Sequence, residues 1–386
     1  MKHMVYIQQN KDNFIEVEDL FGKAKKFRNL ADIWDYKDDL YGCDTVILQP
    51  QYLTTDMIKF IIDKKVECLY LEDRFLKSYF DTDEDKYETL ADLSFLSKLL
   101  HLKCLKIDAY SFFLNPKPIM DISDYTPMEQ LNRLEYIEIP DNGDLPIYVD
   151  IDFSKLKNLK YVNLQYPKSN KTIYKCSNIK TIETRYYETD LTYIYKWDKL
   201  SYFSAYCDNL VSFKGIEQFL SLDTIKVEVT SKFKTFKGID SKNIKKFMIY
   251  TEAKNTVDTL DGMSGLKQVE LIALNGFKKL KSIGDIYKCI YIKELRFENC
   301  NIPKDIEKIV NLKNLEYLIM DNCKVASISF IKDILTLKSI SLGGNTKIED
   351  GNLSFLKQLN KNGIEIYFTD KKHYDLKMKD ITNKKI

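Results

Sequence analysis

An apolar-x-x-apolar-x-apolar phrase returns at intervals of 20 to 26 residues through most of this 386-residue chain. It runs Leu159-x-x-Val162-x-Leu164, Ile179-x-x-Ile182-x-Thr184, Leu200-x-x-Phe203-x-Ala205, Leu222-x-x-Ile225-x-Val227, Ile244-x-x-Phe247-x-Ile249, Leu266-x-x-Val269-x-Leu271, Ile292-x-x-Leu295-x-Phe297, Leu315-x-x-Leu318-x-Met320 and Leu337-x-x-Ile340-x-Leu342. Counted on the second apolar residue, the steps from Val162 are 20, 21, 22, 22, 22, 26, 23 and 22. Less regular copies precede these at Leu134-x-x-Ile137-x-Ile139, Leu102-x-x-Leu105-x-Ile107, Val66-x-x-Leu69-x-Leu71 and Cys43-x-x-Val46-x-Leu48, and a degenerate one follows at Ile364-x-Ile366-x-Phe368, giving about fourteen units. Alternation of apolar residues is what a half-buried strand requires, because successive side chains point to opposite faces. A single unit of this length cannot bury its apolar side. Neighbours must stack, and the stack is held by interfaces between adjacent units.

The period and the phrase resemble the leucine-rich repeat family over roughly residues 40 to 370. The unit from Leu312 through Leu315, Leu318, Met320, Cys323, Val325 and Ile328 to Ile331 is similar to the short 22-residue class found in bacterial internalins and in a eukaryotic phosphatase regulatory subunit. The resemblance implies an α/β solenoid, a curved horseshoe with a parallel sheet on its concave side. At about 4.8 Å between strands that sheet is on the order of 60 to 65 Å long. Where the short class prefers Asn, this chain has Cys300, Cys323 and Asn345 late but Pro167, Tyr187, Asp208, Thr230, Glu252 and Leu274 earlier.

Returns between the later strands leave room for turns and a single helical turn. Residues 54–64 and 89–102 are expected to be amphipathic helices, the second on Leu90, Leu93, Leu96, Leu99 and Leu100. Open solenoids need caps. Residues 1–40 carry enough apolar side chains, Phe14 to Trp34 among them, to cover the first strand, so the expected domains are a cap at 1–40, a solenoid at 41–368 and a polar, Lys-rich, solvated tail at 369–386.

With 59 basic and 57 acidic residues the net charge is +2, which steers the chain to neither nucleic acid nor membrane. No stretch is apolar enough to span a bilayer. The first 30 residues hold no secretory core, so the chain is expected to be cytoplasmic, and secreted only where a leader has been removed. The 8 Cys lie far apart with no C-x-x-C pair and read as buried thiols rather than as a disulfide framework or a metal site. The three histidines, His3, His101 and His373, are scattered, and no hydrolase, phosphate-binding or dinucleotide motif is present. No catalytic residue, metal ligand or cofactor is therefore expected.

Function must then lie on a surface. Side chains between and just after the inward anchors point to the concave face. There Tyr136, Tyr161, Arg185, Tyr202, Tyr206 and Tyr250 fall on neighbouring strands with Glu183 and Glu228 beside them, and Tyr166 and Tyr186 at the rim. Glu270, Glu294 and Glu298 flank them. Tyr and Arg dominate interface hot spots because they bury much area yet keep a polar tip. The expected function is a non-enzymatic module, monomeric when free, that binds another protein and neutralises a toxin or inhibits an enzyme of a bacterium. The alternatives are a secreted internalin-like adhesin or effector and a regulatory subunit of a phosphatase or other enzyme.

Overall fold

The computed structural model describes residues 4–9, 15–18, 24–27, 45–48, 53–72, 92–108, 122–139, 148–164, 166–167, 171–194, 197–251 and 254–382. The chain divides into two compact units, Met1–Arg185 and Tyr186–Ile386. Each of the fourteen repeats contributes one strand to the parallel ladder of its own unit.

In the first unit β1 (Met4–Gln9) pairs parallel with β4 (Thr45–Leu48) and antiparallel with β2 (Ile15–Glu18), which pairs antiparallel with β3 (Ala24–Phe27). From β4 the ladder runs parallel through β5 (Cys68–Glu72), β6 (Cys104–Asp108), β7 (Tyr136–Ile139), β9 (Tyr161–Leu164) and β11 (Thr181–Tyr186), while β8 (Tyr148–Val149) and β10 (Tyr166–Pro167) form a small separate pair. The inward anchors Leu69, Leu105, Ile137, Val162 and Ile182 are all fully buried.

Helix α1 (Thr55–Asp63) forms as its pattern requires. The Thr54 hydroxyl accepts the Met57 N–H at 3.2 Å, Asp56 sits in the first turn, and Met57, Phe60 and Ile61 face inward. The helix expected over 89–102 is instead a short 3₁₀ turn at Ser94–Lys98, with residues 89–91 outside the described set. Spacing explains it. Leu93, Leu96, Leu99 and Leu102 recur every third residue and are all fully buried. Three residues per turn puts such a row on one line, which an α-helix would spread around its surface. The Asp92 carboxylate accepts the Ser94 N–H at 2.7 Å and starts the turn. The same triplet spacing recurs in later returns, for example Phe153, Leu156 and Leu159, and these too fold as 3₁₀ turns.

The second unit runs parallel through β12 (Tyr202–Cys207), β13 (Thr224–Val229), β14 (Lys246–Thr251), β15 (Leu271–Asn275), β16 (Glu294–Glu298), β17 (Tyr317–Asp321), β19 (Ser339–Leu342) and β21 (Glu365–Phe368). As a separate two-stranded sheet β18 (Lys324–Val325) pairs parallel with β20 (Lys347–Ile348). Phe213, Phe233, Phe236, Phe247 and Phe277 interlock across successive repeats, with ring centroids 5.1 to 6.4 Å apart.

Register corrects one phrase. Phe247 lies opposite Ile272 and Ile249 opposite Leu274, so the repeat reads Val269-x-x-Ile272-x-Leu274, not Leu266-x-x-Val269-x-Leu271. Leu260, Met263, Leu266, Val269 and Ile272 form a triplet row, all fully buried, and the phrase fits that row at two offsets. Only the offset that alternates correctly through Leu274 survives.

A polar ladder runs just beyond the strands. Cys300 Sγ contacts the Leu274 carbonyl at 3.4 Å, Cys323 Sγ the Phe297 carbonyl at 3.2 Å, and the Thr346 hydroxyl donates to the Met320 carbonyl at 2.7 Å. Asn345, expected at the third rung, is exposed. Gly344, at φ +57°, turns the chain so that Thr346 rather than Asn345 points inward. Residues beyond β21 are not solvated throughout. Tyr374 and Leu376 are 5% and 1% exposed, and the Tyr374 hydroxyl donates to the Thr346 carbonyl and accepts the Ile348 N–H, both at 3.0 Å. Helix α2 (Leu356–Lys361) precedes β21, and α3 (Lys379–Thr382) ends the described chain.

Along one edge of the strands charges alternate from repeat to repeat. Within the first unit Lys103 pairs with Glu67 at 2.7 Å and Lys160 with Glu135 at 2.6 Å. In the second, Lys293 pairs with Glu270 at 2.8 Å and Lys338 with Glu316 at 2.9 Å. Each exposed pair contributes little by itself, but a slipped stack would set like charges together.

Candidate functional site

Strand alternation sends the residues on either side of each anchor outward, and the two units present separate sets of them. In the first unit Tyr136 on β7 and Tyr161 on β9 are register partners. Their rings lie flat on each other, with centroids 4.3 Å apart and 4° between planes. Two residues further along each strand come Glu138 and Asn163, and Glu183 on β11 follows Asn163 in register. The Tyr136 hydroxyl donates to Glu138, and the Tyr161 hydroxyl donates to Glu183 at 3.3 Å. Lys106 Nζ stands 3.7 Å from the Glu138 carboxylate. Burial, then the hydrogen bond and charge of Glu138, push the Tyr136 phenol well up; burial and the charges of Glu183 and Glu138 push Tyr161 up to about 12. Both hydroxyls therefore stay protonated donors, and the carboxylates hold both rings in place. Arg185 is half-buried at the outer end of the same face.

In the second unit Tyr206, Glu228 and Tyr250 form one row across β12, β13 and β14, with Tyr202 two pairs inward on β12. Lys226 Nζ approaches the Tyr250 ring to 5.8 Å from its centroid. Burial, followed by the Glu298 charge, raises the Tyr250 phenol. Glu228 is exposed, and the three tyrosines are half-buried. The site residues read from the sequence thus fall into two sets, with Tyr136, Tyr161, Glu183 and Arg185 in the first unit and Tyr202, Tyr206, Glu228 and Tyr250 in the second.

Tyr186 is not at the rim. It is fully buried, donates its hydroxyl to the Asp190 carbonyl at 2.5 Å and meets Phe203 edge-on at 5.9 Å. It shares parity with the inward residues Ile182 and Thr184, and β11 runs far enough for that parity to hold. The Tyr166 side chain lies outside the described set.

The corrected register also brings outward two residues that the sequence phrase had misassigned. Leu271 and Ala273 stand beside Lys246 and Met248 on one side and Glu294 and Arg296 on the other. Glu270, expected on the face, sits instead in the edge ladder with Lys293, which lowers its carboxyl. An apolar centre of Met248, Leu271 and Ala273 results, rimmed by Tyr250, Lys246 and the Glu294–Arg296 pair. Only the parity of Leu274 with Ile272 signals it in the sequence. Among the described residues no cluster of three metal-ligating side chains occurs, and no helix is long and apolar enough to cross a membrane.

One strand per repeat, parallel pairing and triplet-spaced returns define the leucine-rich repeat fold, and comparison with solved structures bears this out. A leucine-rich repeat protein of Leptospira interrogans superposes at a TM-score of 0.51 and 14% identity, covering 89% of this chain and 87% of that one. An internalin of Listeria monocytogenes is similar at a TM-score of 0.43 and 15% identity, covering 74% and 86% respectively. No family model and no curated protein sequence matches the chain. It is, by its fold, a leucine-rich repeat protein.

Proposed function

We propose that this chain is a non-enzymatic module that holds a protein partner on its outward strand face, acting in the bacterial cytoplasm as a monomer that neutralises a toxin or covers the working surface of an enzyme. The observation that carries this reading is the Tyr136–Tyr161 pair. A stack serving stability alone gains most by burying both rings, whereas these remain half-exposed with their hydroxyls fixed on Glu138 and Glu183. Rigid, amphipathic rings offer contact area at little entropic cost on binding. The Met248–Leu271–Ala273 centre with its polar rim gives the second unit a patch of the kind found in interface cores. A protein partner is favoured over nucleic acid because the first unit's face mixes Lys106 and Arg185 with Glu138 and Glu183, whereas phosphate backbones demand a basic stripe.

The test is site-specific photo-crosslinking in the native cell. A benzophenone side chain at position 161 or 206 is expected to capture one discrete protein, and the same group at exposed Lys175, on a return turn, is expected to capture none of it. Equal capture from all three positions would reject the face as the binding surface.

A further inference from the structure

Cys68 on β5 and Cys104 on β6 are register partners in a parallel pair. Both precede an inward anchor, Leu69 and Leu105, and so stand on the outward face, with Tyr136 next in the same row. Partners on adjacent parallel strands lie about 4.8 Å apart. Disulfide-linked residues span Cα separations of about 4.4 to 6.8 Å. Cys104 packs against the cluster formed by Cys68 and Tyr70. Their exposures differ, since Cys68 is 5% exposed and Tyr70 8%, whereas Cys104 is open to solvent in part. Neither thiol is in a disulfide.

The second unit supplies a contrast. Cys300 and Cys323 occupy consecutive rungs of the polar ladder but are 1% and 2% exposed, and each Sγ is engaged by main-chain carbonyls at 3.1 to 3.4 Å. No oxidant reaches them in the folded chain. A partly exposed thiol packed against the cluster of Cys68 and Tyr70, on a face otherwise built of polar and aromatic groups, differs in accessibility from the two ladder thiols.

We propose that Cys68 and Cys104 form a redox-responsive dithiol, with Cys104 the entry thiol and Cys68 the resolving thiol, the oxidant being a small disulfide such as oxidised glutathione. The Cys104 thiolate attacks one sulfur of the glutathione disulfide, forming a mixed disulfide and expelling one glutathione thiolate. Cys68, its proton given to solvent, attacks the Cys104 sulfur of that mixed disulfide and expels the second glutathione. The two cysteines give up two electrons and two protons, and the glutathione disulfide takes up two of each. The product ties β5 to β6 in the row that continues into Tyr136.

The experiment uses the full chain with Cys43, which lies outside the described residues, replaced as Cys43→Ser. Incubation with oxidised glutathione, alkylation of remaining thiols and trypsin digestion are followed by mass spectrometry. Cleavage after Lys65, Arg74, Lys103 and Lys106 leaves Cys68 in peptide 66–74 and Cys104 in peptide 104–106. The expected result is a single linked species joining these two peptides, the loss of two alkylatable thiols per chain, and full recovery on reduction. In a further Cys68→Ser variant the reaction is expected to stop with one glutathione on Cys104. In Cys104→Ser, Cys68 is expected to stay unmodified. Circular dichroism of each variant checks that the fold is retained, and the linked peptide in the Cys43→Ser chain is diagnostic whether or not the other variants fold. Two free thiols after oxidation, a lasting mixed disulfide on Cys104 without closure, or linkage of either residue to another cysteine would overturn the proposal.

Discussion

Replacing Ile272 and its neighbour Leu271 by alanine, one at a time, separates the two readings of the fourth strand phrase in the second unit. The ladder pairs Ile272 with Phe247 and Leu295 and leaves it fully buried, whereas Leu271 is only partly covered on the outward face. Ile272→Ala removes three buried carbons, worth about 2.4 kcal/mol at roughly 0.8 kcal/mol per methylene. The cavity left among packed neighbours raises this into the range of about 2 to 5 kcal/mol. Leu271→Ala removes side-chain area already in contact with water and should cost less than about 1 kcal/mol. Urea unfolding of the full chain, followed by circular dichroism, is the assay. The Ile272 variant should show a clearly lowered midpoint at an unchanged slope, and the Leu271 variant a midpoint near that of the parent. If Leu271→Ala were as damaging as Ile272→Ala, the register drawn from Phe247–Ile272 pairing would be wrong, and with it the apolar patch assigned to that face.

Two other substitutions and a titration follow from the interior. Thr346→Val deprives the Met320 carbonyl and the Cys323 N–H of a buried partner at 2.7 and 3.2 Å and should destabilise by about 1 to 3 kcal/mol in the same unfolding assay, while Thr346→Ser should restore most of the loss. Burial pushes the Cys176, Cys289, Cys300 and Cys323 thiols from 9.0 up to about 12, so above pH 9 the unfolded chain releases protons that the folded chain retains. The stability these thiols contribute is whole below the unfolded value and is lost as the pH rises toward the folded one. The thermal unfolding midpoint should therefore fall steeply between about pH 9 and about pH 12, and a Cys300→Ala/Cys323→Ala chain should show a shallower fall; parallel profiles would contradict that linkage.

Much of the fold is legible in the chain because its two spacings are physical. Alternate apolar residues such as Leu318 and Met320 can only be inward on a strand, and rows such as Leu93, Leu96, Leu99 and Leu102 can only line a three-residue turn. The second spacing is also where reading by pattern fails. Residues 260 to 272 satisfy the strand phrase at more than one offset, and the choice between them is made by pairing across to β14, a contact 25 residues away. Tyr186 and Asn345 depart from the pattern for a related reason: how long a strand keeps its alternation, and whether a glycine turn inserts a residue, is decided by the neighbouring repeat. The pairing of Tyr136 with Tyr161 was visible as adjacency. That the rings stack and their hydroxyls fall on carboxylates depends on side-chain packing that spacing does not encode.

The measurement that bears most directly on the binding reading is quantitative affinity capture from the native cell with the parent chain and with a Tyr136→Ala/Tyr161→Ala variant whose thermal unfolding is recorded alongside. The reading predicts that the captured protein falls at least about tenfold, a loss of about 1.4 kcal/mol or more in binding, while the variant remains folded. Undiminished capture by a folded variant would contradict it and leave the stacked pair a stabilising feature of the sheet.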